Sequence, residues 1–141
     1  MKTLKSALTA IALLFICVAA NATVNPNAGK PTKNDVVNLY TDAIAHGKTS
    51  NLDNILDEGL QFNIIRGDNV NTLTKSQFVN YLKNNSVSDA PASTNTIVLQ
   101  EDDNSAVIKV EFKYADLTRT DVVTLENTGG WVITKVSSSF K

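Results

Sequence analysis

The first clear pattern in the chain is an apolar stripe with helical spacing between residues 33 and 48. Its members are Val37, Tyr40 and Ile44, with Val36 and Ala43 beside them. Thr32 and Asp35 have the spacing of a capping box, and Gly47 suits the position just after a helix end. The pattern predicts a first helix over this segment.

Two further helices are predicted from capping residues that precede short apolar faces. One starts at Ser50, because Ser50 and Asp53 repeat the capping-box spacing. Its apolar face consists of Leu52, Ile55 and Leu56. The other follows Thr74, which pairs with Gln77 as its cap. Its buried stripe is predicted to consist of Phe78, Tyr81 and Leu82.

Elsewhere the apolar period changes to two, which is typical of strands. Residues 59–66 predict one strand, and Gly67-Asp68 predicts a tight turn into a second strand at 69–73. Four more strands are predicted at 96–101, 106–114, 120–126 and 131–140. The clearest is 106–114, whose apolar face consists of Ala106, Ile108, Val110, Phe112 and Tyr114. Three helices in the N-terminal half and an antiparallel sheet indicate an α+β fold.

The last strand opens with the single tryptophan, Trp131, after a Gly-Gly turn. Alternation places Trp131 and Ile133 on one face of this strand. It places Val132, Val136 and Phe140 on the other face. Trp131 is therefore expected to help close the sheet, and it is also a candidate pocket wall.

The N-terminal residues 1–22 have the features of a cleaved signal peptide: two lysines, an apolar run and a small-x-small site at Ala20-Asn21-Ala22. The apolar run is short for a membrane span. Residues 23–32 contain two prolines and predict a flexible lead-in to a single domain at 33–141. We expect an exported protein, periplasmic or secreted.

Composition narrows the chemistry that the exported chain can perform. The lone Cys17 lies in the signal segment, so no disulfide or thiolate metal site is expected. Without Lys2 and Lys5 the chain has 11 basic and 14 acidic side chains, which gives no electrostatic case for nucleic acid or an anionic membrane. His46 is the single histidine and suits a helix C-terminus, so neither a metal nor a cofactor is expected.

The order of elements resembles the nuclear transport factor 2-like, or cone-shaped α+β, superfamily over residues 33–140. Three features carry the resemblance: a helix ending in His46-Gly47 before residues 51–56, a hairpin followed by a helix, and Gly-Gly-Trp-Val-Ile entering the last strand. The chain looks like the small secreted bacterial branch described as putative lumazine-binding. The resemblance implies a strongly curved sheet around helices, with a pocket at the open end of the cone. Because members include isomerases, binding subunits and dimerisation modules, the fold does not choose a function.

Tyr40 is similar to a tyrosine that hydrogen-bonds the substrate in the ketosteroid isomerase branch. That chemistry also needs a carboxylate base, which the resemblance implies in the segment 60–65, and this segment has no acid. A lyase or isomerase would need another carboxylate, and Asp42 and Asp57 are the nearest. Arg66 and Arg119 could each meet an anionic ligand, but both lie near turns, where single arginines are usually solvated.

The leading interpretation is a non-catalytic domain that holds a small, partly apolar molecule in the cone. The predicted ligand-binding residues are Tyr40, Phe62, Tyr81, Phe112 and Trp131. Three alternatives stay open. These residues can simply fill the core, the protein can be a lyase or isomerase, or it can be a homodimeric interaction module. The dimer would form through the outer face of strands 120–126 and 131–140, with Val122 and Val132 as apolar contacts.

Overall fold

The computed structural model describes residues 29–85 and 89–141 and contains two α-helices and one six-stranded sheet. The helices are α1 (Lys33–His46) and α2 (Lys75–Asn84). The strands are β1 (Leu56–Arg66), β2 (Asn69–Leu73), β3 (Ser93–Glu101), β4 (Ser105–Lys113), β5 (Thr118–Asn127) and β6 (Trp131–Phe140). The predicted signal peptide, residues 1–22, lies outside the described residues, as does most of the predicted lead-in.

Two of the three predicted capping boxes are formed. The Asp35 carboxylate accepts a hydrogen bond of 2.8 Å from the Thr32 backbone N–H, and the Thr32 hydroxyl accepts one of 3.2 Å from the Asp35 N–H. Thr74 and Gln77 make the same reciprocal pair before α2. Gly47 ends α1 in the left-handed conformation with φ of 67°, which glycine adopts without strain.

The predicted second helix is wrong in extent, because the chain makes a single 3₁₀ turn at Asp53–Ile55. No side chain caps this turn. Leu52, just before the turn, and Ile55, its last residue, are nevertheless both buried. A longer helix is excluded because Leu56 already pairs with Ile133 of β6 and begins β1.

The sheet has the strand order β2-β1-β6-β5-β4-β3 and is curved. Four neighbouring pairs are antiparallel, but β1 and β6 run parallel to each other. The prediction of a wholly antiparallel sheet is therefore wrong at the β1–β6 pair. β1 is the first strand along the chain and β6 is the last, so no hairpin connects this pair.

The core lies between the helices and one face of the sheet. The predicted alternation in β4 is confirmed, since its inward side chains Ala106, Ile108, Val110 and Phe112 are all buried. The Phe62 ring of β1 stacks on Phe78 of α2 with 4.0 Å between ring centroids. Tyr81, predicted in the buried stripe of α2, is instead 44% exposed.

A bulge in β6 corrects the predicted faces of that strand. The register with β5 shifts between the pairs Thr124–Lys135 and Leu125–Ile133, so one extra β6 residue is accommodated. As a result Ile133 and Val136 both point into the core, where both are fully buried. Simple alternation had assigned them to opposite faces.

Strand β3 forms one edge of the sheet, and all nine of its side chains are exposed.

Within the described residues, no helix is both long enough and apolar enough to span a membrane.

Candidate functional site

A buried polar cluster of three side chains lies inside the cone. The Tyr40 hydroxyl donates a hydrogen bond of 2.6 Å to Asp121 Oδ2. Arg119 Nε lies 2.9 Å from Asp121 Oδ1 and 3.1 Å from Oδ2. Asp121 is completely buried, and Tyr40 is 1% exposed. Among the described residues, Asp121 is the one carboxylate that is fully buried, and it is satisfied from two sides.

The local sequence explains how these groups meet. Arg119 and Asp121 are two residues apart on β5, so both side chains project from the same face of the sheet. Tyr40 belongs to the buried stripe of α1, which packs over that face. Asp121 pairs in register with Ser138 of β6, whose buried hydroxyl has no partner among the described residues.

The electrostatics of the cluster fix its protonation states. Burial raises the pKa of the Tyr40 hydroxyl well above its ordinary value, and the negative charge of Asp121 raises it further. Burial by itself would lower the pKa of Arg119, but the neighbouring Asp121 carboxylate outweighs this and raises it. Tyr40 therefore stays neutral and donates a hydrogen bond, while Arg119 stays charged.

Three aromatic rings surround the Arg119 guanidinium. Its central carbon lies 5.9 Å from the ring centroids of Phe62 and Phe112, and 5.8 Å from that of Phe140. These distances are within the range of cation–π attraction. The rings and Asp121 together hold the guanidinium in one place.

An open cleft of about 640 Å³ adjoins this cluster, and Arg119 belongs to both. Arg119, which is 13% exposed at its side chain, forms part of the cleft lining. Tyr81 and Tyr114 supply aromatic surface, and Leu117 is an exposed apolar residue of the same lining. Arg119 donates hydrogen bonds to the described residues through Nε. Its two terminal nitrogens donate none to them. Those nitrogens therefore keep N–H donors that no described residue uses.

A second cleft of the same volume lies on the outside of the fold, between α1 and the 3₁₀ turn. Its lining includes Asp35, Asn38 and Asp42, and it contains no aromatic side chain. Asp35 is already engaged in the helix cap, and Asp42 lies 3.5 Å from Lys48. This cleft offers less to a partly apolar ligand than the cleft beside Arg119.

The five predicted ligand-binding residues occupy three different places. Tyr40, Phe62 and Phe112 are buried in the core, and each lies beside Arg119 or Asp121. Tyr81 lines the open cleft. Trp131 is half-buried at the opposite end of the β5–β6 hairpin from Arg119, with the Lys33 ammonium 6.0 Å from its ring centroid. The structure thus brings four of the residues towards one end of the cone and leaves Trp131 at the other.

Sequence reasoning missed Asp121 and its pairing with Arg119 at the centre of the site. Arg119 was expected to be solvated, and the structure corrects this because Asp121 and three rings enclose it. A signal was present: Asp121, Val123 and Leu125 alternate along β5, which places an acid at an inward position. Asp42 and Asp57, the carboxylates suspected from sequence, are not part of this cluster. Asp42 pairs with Lys48, and Asp57 accepts a hydrogen bond from the Gly59 N–H.

The described part of the chain shows no group of three or more histidine, cysteine or acidic side chains suited to a metal ion. His46 is exposed at the last residue of α1.

Comparison with known proteins adds a family and a fold. Residues 30–140 match the family model described as "Putative lumazine-binding". No curated protein matches the chain. Similar solved structures include a nuclear transport factor 2-like protein of unknown function from Silicibacter pomeroyi. It is 15% identical with a TM-score of 0.58, and the match covers 77% of this chain and 90% of that one.

Two other solved structures show the same fold. One is a nuclear transport factor 2-like protein of unknown function from Shewanella baltica, at 11% identity and a TM-score of 0.61, covering 77% of this chain and 90% of that chain. The other is described as a putative ketosteroid isomerase from Parabacteroides distasonis, at 14% identity and a TM-score of 0.55, covering 76% and 86%. At these identities the likeness shows a nuclear transport factor 2-like fold and does not extend to activity.

Proposed function

Because the chain belongs to the family described as "Putative lumazine-binding", we propose that it binds a small, partly apolar molecule in the open cleft and does not transform it. The ligand class is a lumazine or a similar bicyclic heteroaromatic compound with carbonyl oxygens. The observation that supports this proposal is the position of Arg119. Arg119 lines a cleft that also contains aromatic and aliphatic side chains, and its terminal nitrogens donate no hydrogen bond to the described residues.

The cleft combines the two kinds of contact that small-ligand sites use. Tyr81, Tyr114 and Leu117 offer apolar surface for a planar ring. Arg119 offers unused N–H donors in a fixed planar fork, which suits carbonyl oxygens at the edge of that ring. The enclosing aromatic rings and Asp121 hold this fork in place before a ligand arrives, which lowers the entropy cost of binding.

Binding without chemistry fits the state of the buried cluster. An isomerase that used Tyr40 would need a free hydroxyl donor and a carboxylate base within reach of the substrate. Here the Tyr40 hydroxyl donates to Asp121, and neither group lines the cleft. We therefore propose that Tyr40 and Asp121 support Arg119 and do not act on a substrate.

The test measures lumazine binding by the quenching of its fluorescence and by the thermal stabilisation of the protein. A ligand at about 100 times its Kd adds about 2.7 kcal/mol to the free energy of unfolding. Tyr81→Ala should weaken binding, because it removes a ring from the cleft while its exposure limits the cost to folding. The matched control is Leu99→Ala, an exposed apolar residue on β3 outside the cleft.

Unaltered affinity in Tyr81→Ala would show that the cleft is not the binding site. No stabilisation by lumazine or by related bicyclic heteroaromatic compounds would refute the binding function itself.

We also propose export and self-association, on separate grounds. Residues 1–22 have the sequence of a signal peptide, so the full chain expressed in bacteria should appear shortened in the periplasm or medium.

The outer sheet face carries the half-buried Val122 and Val132. If they form a homodimer contact, light scattering should give twice the chain mass, and Val122→Asp should halve it. A light-scattering mass equal to one chain at high protein concentration would contradict the dimer. A full-length product that stays in the cytoplasm would contradict export.

A further inference from the structure

The positive charge of Arg119 is already neutralised where it meets the cleft. Its Nε lies within 3.1 Å of both oxygens of Asp121, and both side chains are enclosed by protein. A second anion is therefore not needed to balance the guanidinium. What the terminal nitrogens still offer is a set of hydrogen-bond donors.

The remaining charged groups of the cleft lining are acidic. Asp89 and Asp116 both line the cleft, and the lining contains no lysine and no second arginine. With Asp121 behind Arg119, one positive charge faces three negative charges, a local net charge of −2. Burial raises the pKa of Tyr114, so this tyrosine adds no positive or negative charge near neutral pH.

Resting on the binding function proposed above, we infer that the cleft selects an uncharged heteroaromatic ligand and rejects its carboxylated counterpart. Ring carbonyl oxygens would accept hydrogen bonds from the terminal nitrogens of Arg119. Ring N–H groups would find acceptors in Asp89 and Asp116 on the cleft wall. An added carboxylate would meet these two acids, and juxtaposed like charges are a common source of specificity.

The experiment compares lumazine with lumazine-6-carboxylic acid, two probes that differ by one carboxylate. Titration at about pH 6, where carboxylic acids are ionised, should give at least about tenfold weaker binding for the acid. In the double variant Asp89→Asn/Asp116→Asn the affinity for the acid should recover by a similar factor. The affinity for lumazine should change far less, because the asparagine side-chain oxygens still accept hydrogen bonds from ring N–H groups.

A matched control separates local charge from the net charge of the protein. Asp103→Asn/Glu126→Gln removes the same two charges from exposed positions at the other end of the sheet. This control should leave the discrimination between the two probes unchanged. Raising the salt concentration should reduce the difference in affinity between the two probes, because Asp89 and Asp116 are exposed and salt screens exposed charges.

The outcomes distinguish this inference from the proposal on which it depends. If the acid binds as tightly as lumazine or more tightly, charge selection is refuted while the binding function stands. If the control variant changes the discrimination as much as the cleft variant, local selection is refuted as well. If neither probe binds, the binding function and the inference fall together.

Discussion

Replacing Asp121 by alanine is the sharpest test of the buried cluster. The change removes the partner of the Arg119 guanidinium, whose side chain is 13% exposed, and the acceptor of the Tyr40 hydroxyl at 2.6 Å. Breaking a buried ion pair from one side costs about 3–5 kcal/mol, because the other charge stays buried without compensation. Domains of this kind have a total stability of about 5–15 kcal/mol. We therefore expect Asp121→Ala to be folded but strongly destabilised.

The assay is urea unfolding followed by far-UV circular dichroism and by the fluorescence of Trp131, the single tryptophan. The free energy of unfolding in water should fall by about 3–5 kcal/mol relative to the wild-type protein, with an unchanged m-value. In thermal unfolding, 1 kcal/mol corresponds to about 4 °C for a domain of this size, so Tm should fall by about 12–20 °C.

Two further variants calibrate the result. Asp103→Ala removes an exposed acid from the β3–β4 turn and should change stability by less than about 0.5 kcal/mol. Tyr40→Phe leaves the Arg119–Asp121 pair intact and should cost about 1.5–3 kcal/mol for one hydrogen bond to a charged group. A loss of under about 1 kcal/mol in Asp121→Ala would refute the reasoning, since Arg119 would then be finding water or another partner at little cost.

Three other measurements follow from the structure. The pKa of Tyr40 is raised on folding, so its stabilising contribution is present below its unfolded value of 10.0 and is lost as pH rises above it. Stability should therefore fall steeply above about pH 10, and Tyr40→Phe should flatten this decline; parallel profiles would contradict the assignment. Thr32→Ala should cost about 1 kcal/mol through its lost helix cap, whereas Thr128→Ala, in an exposed turn, should be nearly neutral. Gly47→Ala should cost about 1 kcal/mol, because φ of 67° strains a residue with a Cβ, and an unchanged Tm would count against a left-handed cap.

The regular elements could be predicted because their signals are local. The capping boxes at Thr32 and Thr74 and the alternation from Ala106 to Phe112 depend on neighbouring residues, and the structure confirms them. The predicted bounds of β2 and β6 also match. The bulge in β6 and the parallel β1–β6 pair were missed, because each depends on contacts with a strand distant in sequence.

The candidate site was harder to predict than the fold. Tyr40 was identified from a resemblance, but its partner was sought in residues 60–65 and at Asp42 and Asp57. The partner, Asp121, lies 81 residues away on another strand. An acid at an inward position looks unfavourable in a sequence until its counterion is known, and here the counterion, Arg119, is on the same strand. Arg119 and Asp121 can be recognised as a buried pair only when both are placed on the same face of β5.

The parallel pairing of β1 with β6 also constrains the order in which the molecule can form. The β1–β2 hairpin and α2 can associate early, because they are adjacent in sequence. The β1–β6 pair, however, requires Phe62 to find Val136, a contact that spans more than half the chain. Such non-local contacts slow folding and delay the closure of the core. A nascent chain therefore cannot complete its sheet or close its core until β6, the last strand in the chain, has been synthesised.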